Sequence, residues 1–273
     1  MQGPLNQHND CGMDCLLMGL SWYSGEVKVK VKVNQNASQT QTQFERFKLL
    51  TKIPHSSARN EQRQISRWFH SLIQPETVDT QVDATELYEQ LLLCIWPSRK
   101  SRVTFREDIW ERHQTTPERS LCTDSHSIDV YCSGAQGALD LAQVLWKIQV
   151  SYLGLERYKQ EYYICERGEH RTNLVVVRIL GRRTSHTNIY SMSQVPICIP
   201  ESMKPQHLCL SFIICHRGVD KGGHFVLYYG DKVNGWNLYD NHPQFQGKSQ
   251  RVSQQHMLQE AQKGAVLCGY KRM

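Results

Sequence analysis

Cys11 opens the run Cys-Gly-Met-Asp-Cys-Leu-Leu-Met-Gly-Leu-Ser-Trp, residues 11–22, directly after Asn9-Asp10. A cysteine at the front of a helix meets free backbone N–H groups and partial positive charge, which favour thiolate over thiol. Cys15 lies one turn further in, beyond those amides, and reads as an inert buried thiol. His224 sits in Lys-Gly-Gly-His-Phe-Val-Leu-Tyr-Tyr-Gly, at the start of a strand entered through Gly222 and Gly223, and Asp240 closes the segment Gly-Trp-Asn-Leu-Tyr-Asp sixteen residues later. Two strands joined by a tight connection would set the start of the first beside the end of the second. A carboxylate there accepts the imidazole Nδ1–H and leaves Nε2 as a base. A single histidine of the twelve in the chain is ordinarily a surface residue at a turn; the acid at hairpin spacing is what distinguishes His224. Asn6, five residues before Cys11, is close enough in sequence for its amide to reach an oxyanion formed at the sulfur. Thiol, imidazole, carboxylate and amide in these settings predict nucleophilic cysteine catalysis.

The elements that must position these residues are readable in outline. The 11–22 run is apolar on nearly every side, with only Asp14 and Ser21 polar, and predicts a short helix buried all round. Residues 25–33 alternate Val and Lys with the period of a half-exposed strand, and 34–43 are a polar low-complexity loop. Together they read as an excursion from the domain. Segments 44–53 and 64–73 predict amphipathic helices. Asp83-Ala84-Thr85-Glu86 has the form of a capping box and opens a further helix that stops before Pro97. Residues 98–135 are polar and weakly patterned, and 137–155 read as helix. The character then changes: 173–180, 195–200, 207–215, 224–230, 235–240 and 265–273 are short, β-branched and bounded by turn residues. An α-rich first half followed by a β-rich second half predicts an α+β protein, a helical lobe facing a β lobe across a cleft.

Four blocks carry a family resemblance. Gly-Pro-Leu-Asn-Gln-His-Asn-Asp-Cys-Gly-Met-Asp-Cys-Leu-Leu (residues 3–17) resembles the cysteine box of ubiquitin-specific proteases. Gln81-Val-Asp-Ala-Thr-Glu-Leu is similar to their Gln-Gln-Asp-Ala-x-Glu-Phe box. Residues 208–241 resemble the histidine box, and 265–273 the closing strand. The blocks stand in the family's order from residue 3 to residue 273, with a divergent middle. The resemblance implies a papain-like cysteine protease in a single catalytic domain over 1–273. Its helical thumb lobe would occupy mainly 1–135, and a reduced fingers region and β-rich palm 136–273. It implies Cys11 as nucleophile, His224 as base, Asp240 as its partner, Asn6 at the oxyanion and Asn241 as an auxiliary. Gly222, Gly223, Asp83 and Glu86 would line a channel for the modifier's Gly-Gly tail. Two departures reshape the cleft: His8 stands for a small glycine, and Gly12 for the aromatic after the nucleophile. The run Cys-x-Met-Asp-Cys-Leu-Leu is also similar to that of the related SUMO isopeptidase branch.

The implied activity is a thiol-dependent isopeptidase acting after the C-terminal Gly-Gly of ubiquitin or a ubiquitin-like modifier, with those conjugates as partners. A SUMO-specific isopeptidase, a viral or effector polyprotein protease, and a dead ubiquitin-binding relative are the alternatives. No cofactor is expected. The family's fingers often hold zinc on paired Cys-x-x-Cys knuckles, but Gly168 stands where the partner of Cys165 would be. Cys122, His126, Cys132, Cys165 and His170 lack the usual ligand spacing.

Composition narrows the classes further. The 273 residues carry 32 Lys and Arg against 26 Asp and Glu, a dispersed net charge of +6 without a run of five like charges, so nucleic acid is not indicated. No apolar stretch approaches the ~20 residues of a membrane span, and the N-terminus has no export-signal pattern. Most of the ten cysteines, several within apolar runs (Cys94, Cys198, Cys209, Cys215, Cys268), then read as reduced buried thiols. A cytoplasmic or nuclear setting follows.

Overall fold

A computed structural model describes residues 10–26, 59–73, 75, 82–95, 103–111, 119–125, 127–131, 158–165, 174–180, 191–199, 202–219, 222–231 and 233–272. Helix α1 (Cys11–Glu26) is buried at every residue from 11 to 21, as its uniformly apolar sequence requires. It packs against α2 (Arg59–Ile73) and α3 (Ala84–Ile95) as well as against the sheet. Helix α2 is two-faced: Ile65 and Phe69 enter the core, while Glu61, Gln64, Trp68 and Leu72 are exposed. Helix α3 starts where the capping signal stands. Asp83 Oδ1 accepts from the Thr85 N–H at 2.8 Å, and the Asp83 carbonyl accepts from the amides of Glu86 and Leu87 at 3.0 and 3.2 Å.

Gly12 is why α1 and α3 approach so closely. A Cβ there would stand 2.8 Å from the Val82 carbonyl oxygen and 3.4 Å from the Ala84 amide nitrogen, both backbone atoms that cannot swing aside. Gly12→Ala must therefore push the front of α1 away from α3, and is expected to cost roughly 1–3 kcal/mol in denaturant unfolding, the usual range for overpacking. An unchanged midpoint would show that the two helices separate freely.

The sheet is mostly antiparallel. Its described strands are β1 (Val103–Glu111), β2 (Arg119–Ser125), β3 (Ile128–Tyr131), β4 (Tyr158–Cys165), β5 (Leu174–Leu180), β6 (Ser191–Ile199), β7 (Ser202–Val219), β8 (Gly222–Asp231), β9 (Gly235–Tyr239), β10 (Gln250–Val252) and β11 (Ala265–Arg272). They run in the order β10-β9-β8-β7-β6-β4-β1-β2, with β11 joining β7 to β5, and β3 beside β5. β7, the longest at 18 residues, pairs with β6, β8 and β11 in turn. Helix α4 (Gln254–Gly264), capped by Ser253 Oγ accepting from the His256 amide at 3.1 Å, packs on β7, β9 and β11. One buried cluster joins α1, α2 and α3 to β7, β8 and β11, with Leu16, Leu20, Phe69, Leu87, Phe212 and Leu227 among its members. The chain is thus α+β, with three of its four described α-helices toward the N-terminus. Among the described residues, no helix is long and apolar enough to cross a membrane.

Strands begin earlier than the hydrophobic pattern suggests. β1, β2 and β3 all fall within 98–135, where no element is legible, and so inside the segment 1–135 expected to be mainly helical. Seven residue pairs join β1 to β2 and eight join it to β4. Backbone pairing forms these strands, and a search for apolar periodicity does not see it. Gly25 and Glu26, expected to open a Val/Lys strand, instead end α1. The rest of that excursion and the helices expected at 44–53 and 137–155 lie outside the described residues.

Candidate active site

The β8–β9 hairpin does what its spacing predicts. Leu227 pairs with Tyr239 and Asp231 with Gly235, so His224 and Asp240 come to the same end. His224 Nε2 lies 2.7 Å from Asp240 Oδ1. The same oxygen accepts from the His242 backbone N–H at 2.9 Å. Cys11, the first residue of α1 and 2% exposed, makes a side-chain hydrogen bond with His224. Helix α1 and the hairpin, more than two hundred residues apart in sequence, thus bring thiol, imidazole and carboxylate into one group.

The imidazole is turned opposite to the sequence expectation. Asp240 holds Nε2, not Nδ1, which leaves Nδ1 for Cys11. Continued past Tyr239, the pairing register sets residue 240 opposite residue 226, two positions along from His224. Two strand residues span about 7 Å, and Nε2 closes that gap to Asp240. Burial alone would lower the His224 pKa. The hydrogen bonds to Asp240 and Cys11, and the charges they carry, outweigh it and hold the imidazolium up to about 9. Asp240 is affected the other way: burial favours its neutral form, but His224, the His242 amide and Arg217 together hold its carboxyl below the usual carboxylate range.

Arg217 is a feature the sequence reading did not anticipate. It pairs with His224 across β7 and β8, and its Nη1 lies 3.5 Å from Asp240 Oδ2. Its Nη2 donates to the Tyr228 hydroxyl at 2.8 Å, and its Nε is 3.2 Å from Glu260 Oε2 on α4. The guanidinium therefore braces the free oxygen of Asp240 from outside the group.

Asn241 directs its amide to a carboxylate on α1. Fully buried, it donates from Nδ2 to Asp14 Oδ2 at 2.6 Å, and Asp14 also accepts a hydrogen bond from Ser66 Oγ on α2. Burial pushes the Asp14 carboxyl up to about 7, against the pull of those two donors. Nearby, Asp10 Oδ1 lies 3.1 Å from His70 Nδ1. Cys15, Cys215 and Cys268 are buried cysteines outside any disulfide, Cys209 is a partly exposed one, and burial raises the Cys15 pKa well above its ordinary value. Trp236 and Tyr239 are buried core residues.

The remaining expected site residues have plainer surroundings. Asp83 and Glu86 are exposed at the front of α3, next to Gly12. Gly222 and Gly223 pair with Val219 and Gly218 across β7. A Cβ on Gly223 would stand 2.1 Å from His216 Nε2 and 2.8 Å from the Arg217 carbonyl oxygen, so strand contact alone calls for glycine there. Asn6 lies outside the described residues. Of the cysteines weighed for zinc, Cys122 on β2 and Cys165 on β4 flank β1 on opposite edges, opposite Arg106 and Thr104.

No protein-family model matches the chain, and no curated protein does. Solved structures do. A SAGA DUB module of Ubp8, Sgf11, Sus1 and Sgf73 bound to monoubiquitin has a TM-score of 0.66 at 13% identity, over 100% of this chain and 69% of that one. A yeast SAGA DUB module carrying an Sgf73 mutant gives 0.66 at 14%, over 100% and 68%. The Ubp8 module bound to ubiquitin aldehyde gives 0.64 at 14%, over 100% and 70%. The chain has the fold of a ubiquitin-specific protease.

Proposed function

We propose that this chain is a cysteine isopeptidase that cuts after the C-terminal Gly-Gly of ubiquitin or a ubiquitin-like modifier, the palm and thumb lobes of a papain-like protease gripping the modifier's tail. The observation that carries the reading is the Cys11–His224–Asp240 group: a thiol at a helix front, hydrogen-bonded to an imidazole whose other nitrogen is held by a buried carboxylate. Ubiquitin is placed first among substrates because the structures of like fold include complexes with monoubiquitin and ubiquitin aldehyde. SUMO is the second candidate, on the local likeness around Cys11.

In this reading Cys11 has given its proton to His224, and the thiolate Sγ attacks the carbonyl carbon of the terminal glycine. The oxyanion that forms is met by backbone amides at the front of α1 and by Asn6, a donor of the kind worth ~3 kcal/mol of barrier. The nitrogen of His224 facing Cys11 carries a proton at neutral pH, since the imidazolium persists to about 9. It passes that proton to the departing lysine amine, leaving a thioester on Cys11. Water, deprotonated by the same nitrogen, then releases the modifier. Asp240 and Arg217 keep the ring in place without touching the substrate. Asp83, Glu86, Gly222 and Gly223 would line the channel that receives the tail. The chemistry calls for a reduced thiol and no cofactor, in keeping with work in the cytoplasm or nucleus.

Ubiquitin and SUMO carrying a C-terminal electrophile test this directly. The expected result is a covalent adduct mapped by mass spectrometry to Cys11, formed with one modifier far faster than with the other. An adduct at Cys15, or none with either, overturns the reading.

A further inference from the structure

Within residues 11–20 the only charged side chain is Asp14, and it is 1% exposed. Its carboxyl touches two other elements: Ser66 Oγ of α2 donates to Oδ1, and Asn241 Nδ2 donates to Oδ2 at 2.6 Å. Asn241 directly follows Asp240, so this bond ties the helix that bears Cys11 to the strand end that bears Asp240. Asp14 and Cys11 are three positions apart on α1 and share one side of it. We propose that Asp14 is a positioning residue for the reacting pair, setting the rotation and axial position of α1 against the β9 end so that Cys11 meets His224. This rests on the reading of Cys11, His224 and Asp240 given above.

An apolar side chain would fill the same space without the cost of burying a carboxyl. What a carboxyl adds is two directional acceptors, one for each neighbouring element, which packing by methyl groups cannot supply. Alignment is what the site is sensitive to: a misplacement of ~1 Å between reacting groups is worth about 100-fold in rate. The other titratable groups facing Asp14 are Asp10 and His70, which are paired with each other, and the buried Cys15 and Tyr239. Asn241 Oδ1 has no hydrogen-bond partner. That detail makes Asp14→Asn an informative variant. Its carbonyl still accepts from Ser66, and its amide can donate to the Asn241 oxygen once that side chain turns over.

The test uses the full chain with Asp14→Ala, Asp14→Asn, Asn241→Ala and the double alanine variant. Two rates are read: turnover of ubiquitin carrying a C-terminal fluorogenic amide, and iodoacetamide alkylation of the Cys11 peptide. Asp14→Ala and Asn241→Ala are each expected to lower kcat at least tenfold with KM within twofold. The double variant should be no worse than the poorer single, and Asp14→Asn should recover to within threefold. Cys11 alkylation should follow the same order. Additive losses, a change confined to KM, or kcat losses matching only the unfolded fraction at assay temperature would overturn the proposal. If Asp14→Ala does not fold, Asn241→Ala and Asp14→Asn still decide the matter. If the unaltered chain turns over no modifier, the isopeptidase reading has failed, and alkylation still separates the outcomes: variant-dependent rates at Cys11 uphold the positioning role, and equal rates overturn it.

Discussion

Cys11→Ala leaves the chain folded and able to hold its modifier, and lowers hydrolysis roughly 10⁴- to 10⁶-fold, the scale seen when a nucleophile is removed from a set of groups that act together. The fold should survive because alanine suits the first turn of a helix and the sulfur is a small loss from a well-packed cluster. The rate cannot survive, because alanine offers no nucleophilic atom where the sulfur stood. The control is Cys15→Ala. That thiol is fully buried one turn further along α1, and burial, with Cys11 and Asp14 close by, holds it far from its ionised form. Cys15→Ala should therefore lower stability by a core-truncation amount and leave kcat within a few-fold. Steady-state turnover and modifier binding, measured on both variants, separate the two roles. If Cys11→Ala kept more than about one per cent of the rate, or if Cys15→Ala lost it instead, the nucleophile would have to be reassigned.

The parts of this site that the sequence makes legible are those fixed by residue type and local spacing. Cys11 follows a helix-opening Asn-Asp, and His224 and Asp240 stand at the two ends of an evident hairpin; both facts survive without any knowledge of the third dimension. The orientation of the imidazole does not, because it is a matter of side-chain rotamer, which neither spacing nor the alternation of apolar residues carries. Arg217 is invisible for a related reason. Only the pairing of β7 with β8 sets it across from His224, and nothing in its own neighbourhood marks it. Asp14 did carry a signal, a lone carboxylate in an otherwise buried helix. Its partners Ser66 and Asn241 lie 52 and 227 positions away, beyond any local pattern. The early strands are missed likewise, since β1 draws its place from ladders on both edges.

Asp240→Ala is expected to lower kcat/KM by roughly 10²- to 10⁴-fold, more than Asp240→Asn. One Asp240 oxygen holds both His224 Nε2 and the His242 amide, while the other faces Arg217 at 3.5 Å. An asparagine oxygen can still accept from the first two donors, so the ring keeps its orientation, although the new amide must face a guanidinium. Alanine leaves the ring untethered and the His242 amide without its acceptor. The pH profile carries the sharper distinction. The imidazolium of the unaltered site is present below about 9 and is lost as pH rises through that value. The alkaline limb of kcat/KM should therefore fall near 9. Without the carboxylate, burial again works against the charged ring, and the limb must move to lower pH. Asp240→Asn removes the charge but keeps the hydrogen bond, so its limb should lie between the two. A limb that stayed near 9 in Asp240→Ala would mean that Cys11 alone sustains the imidazolium. Asp240 would then be an anchor for the strand end, with no part in tuning the base.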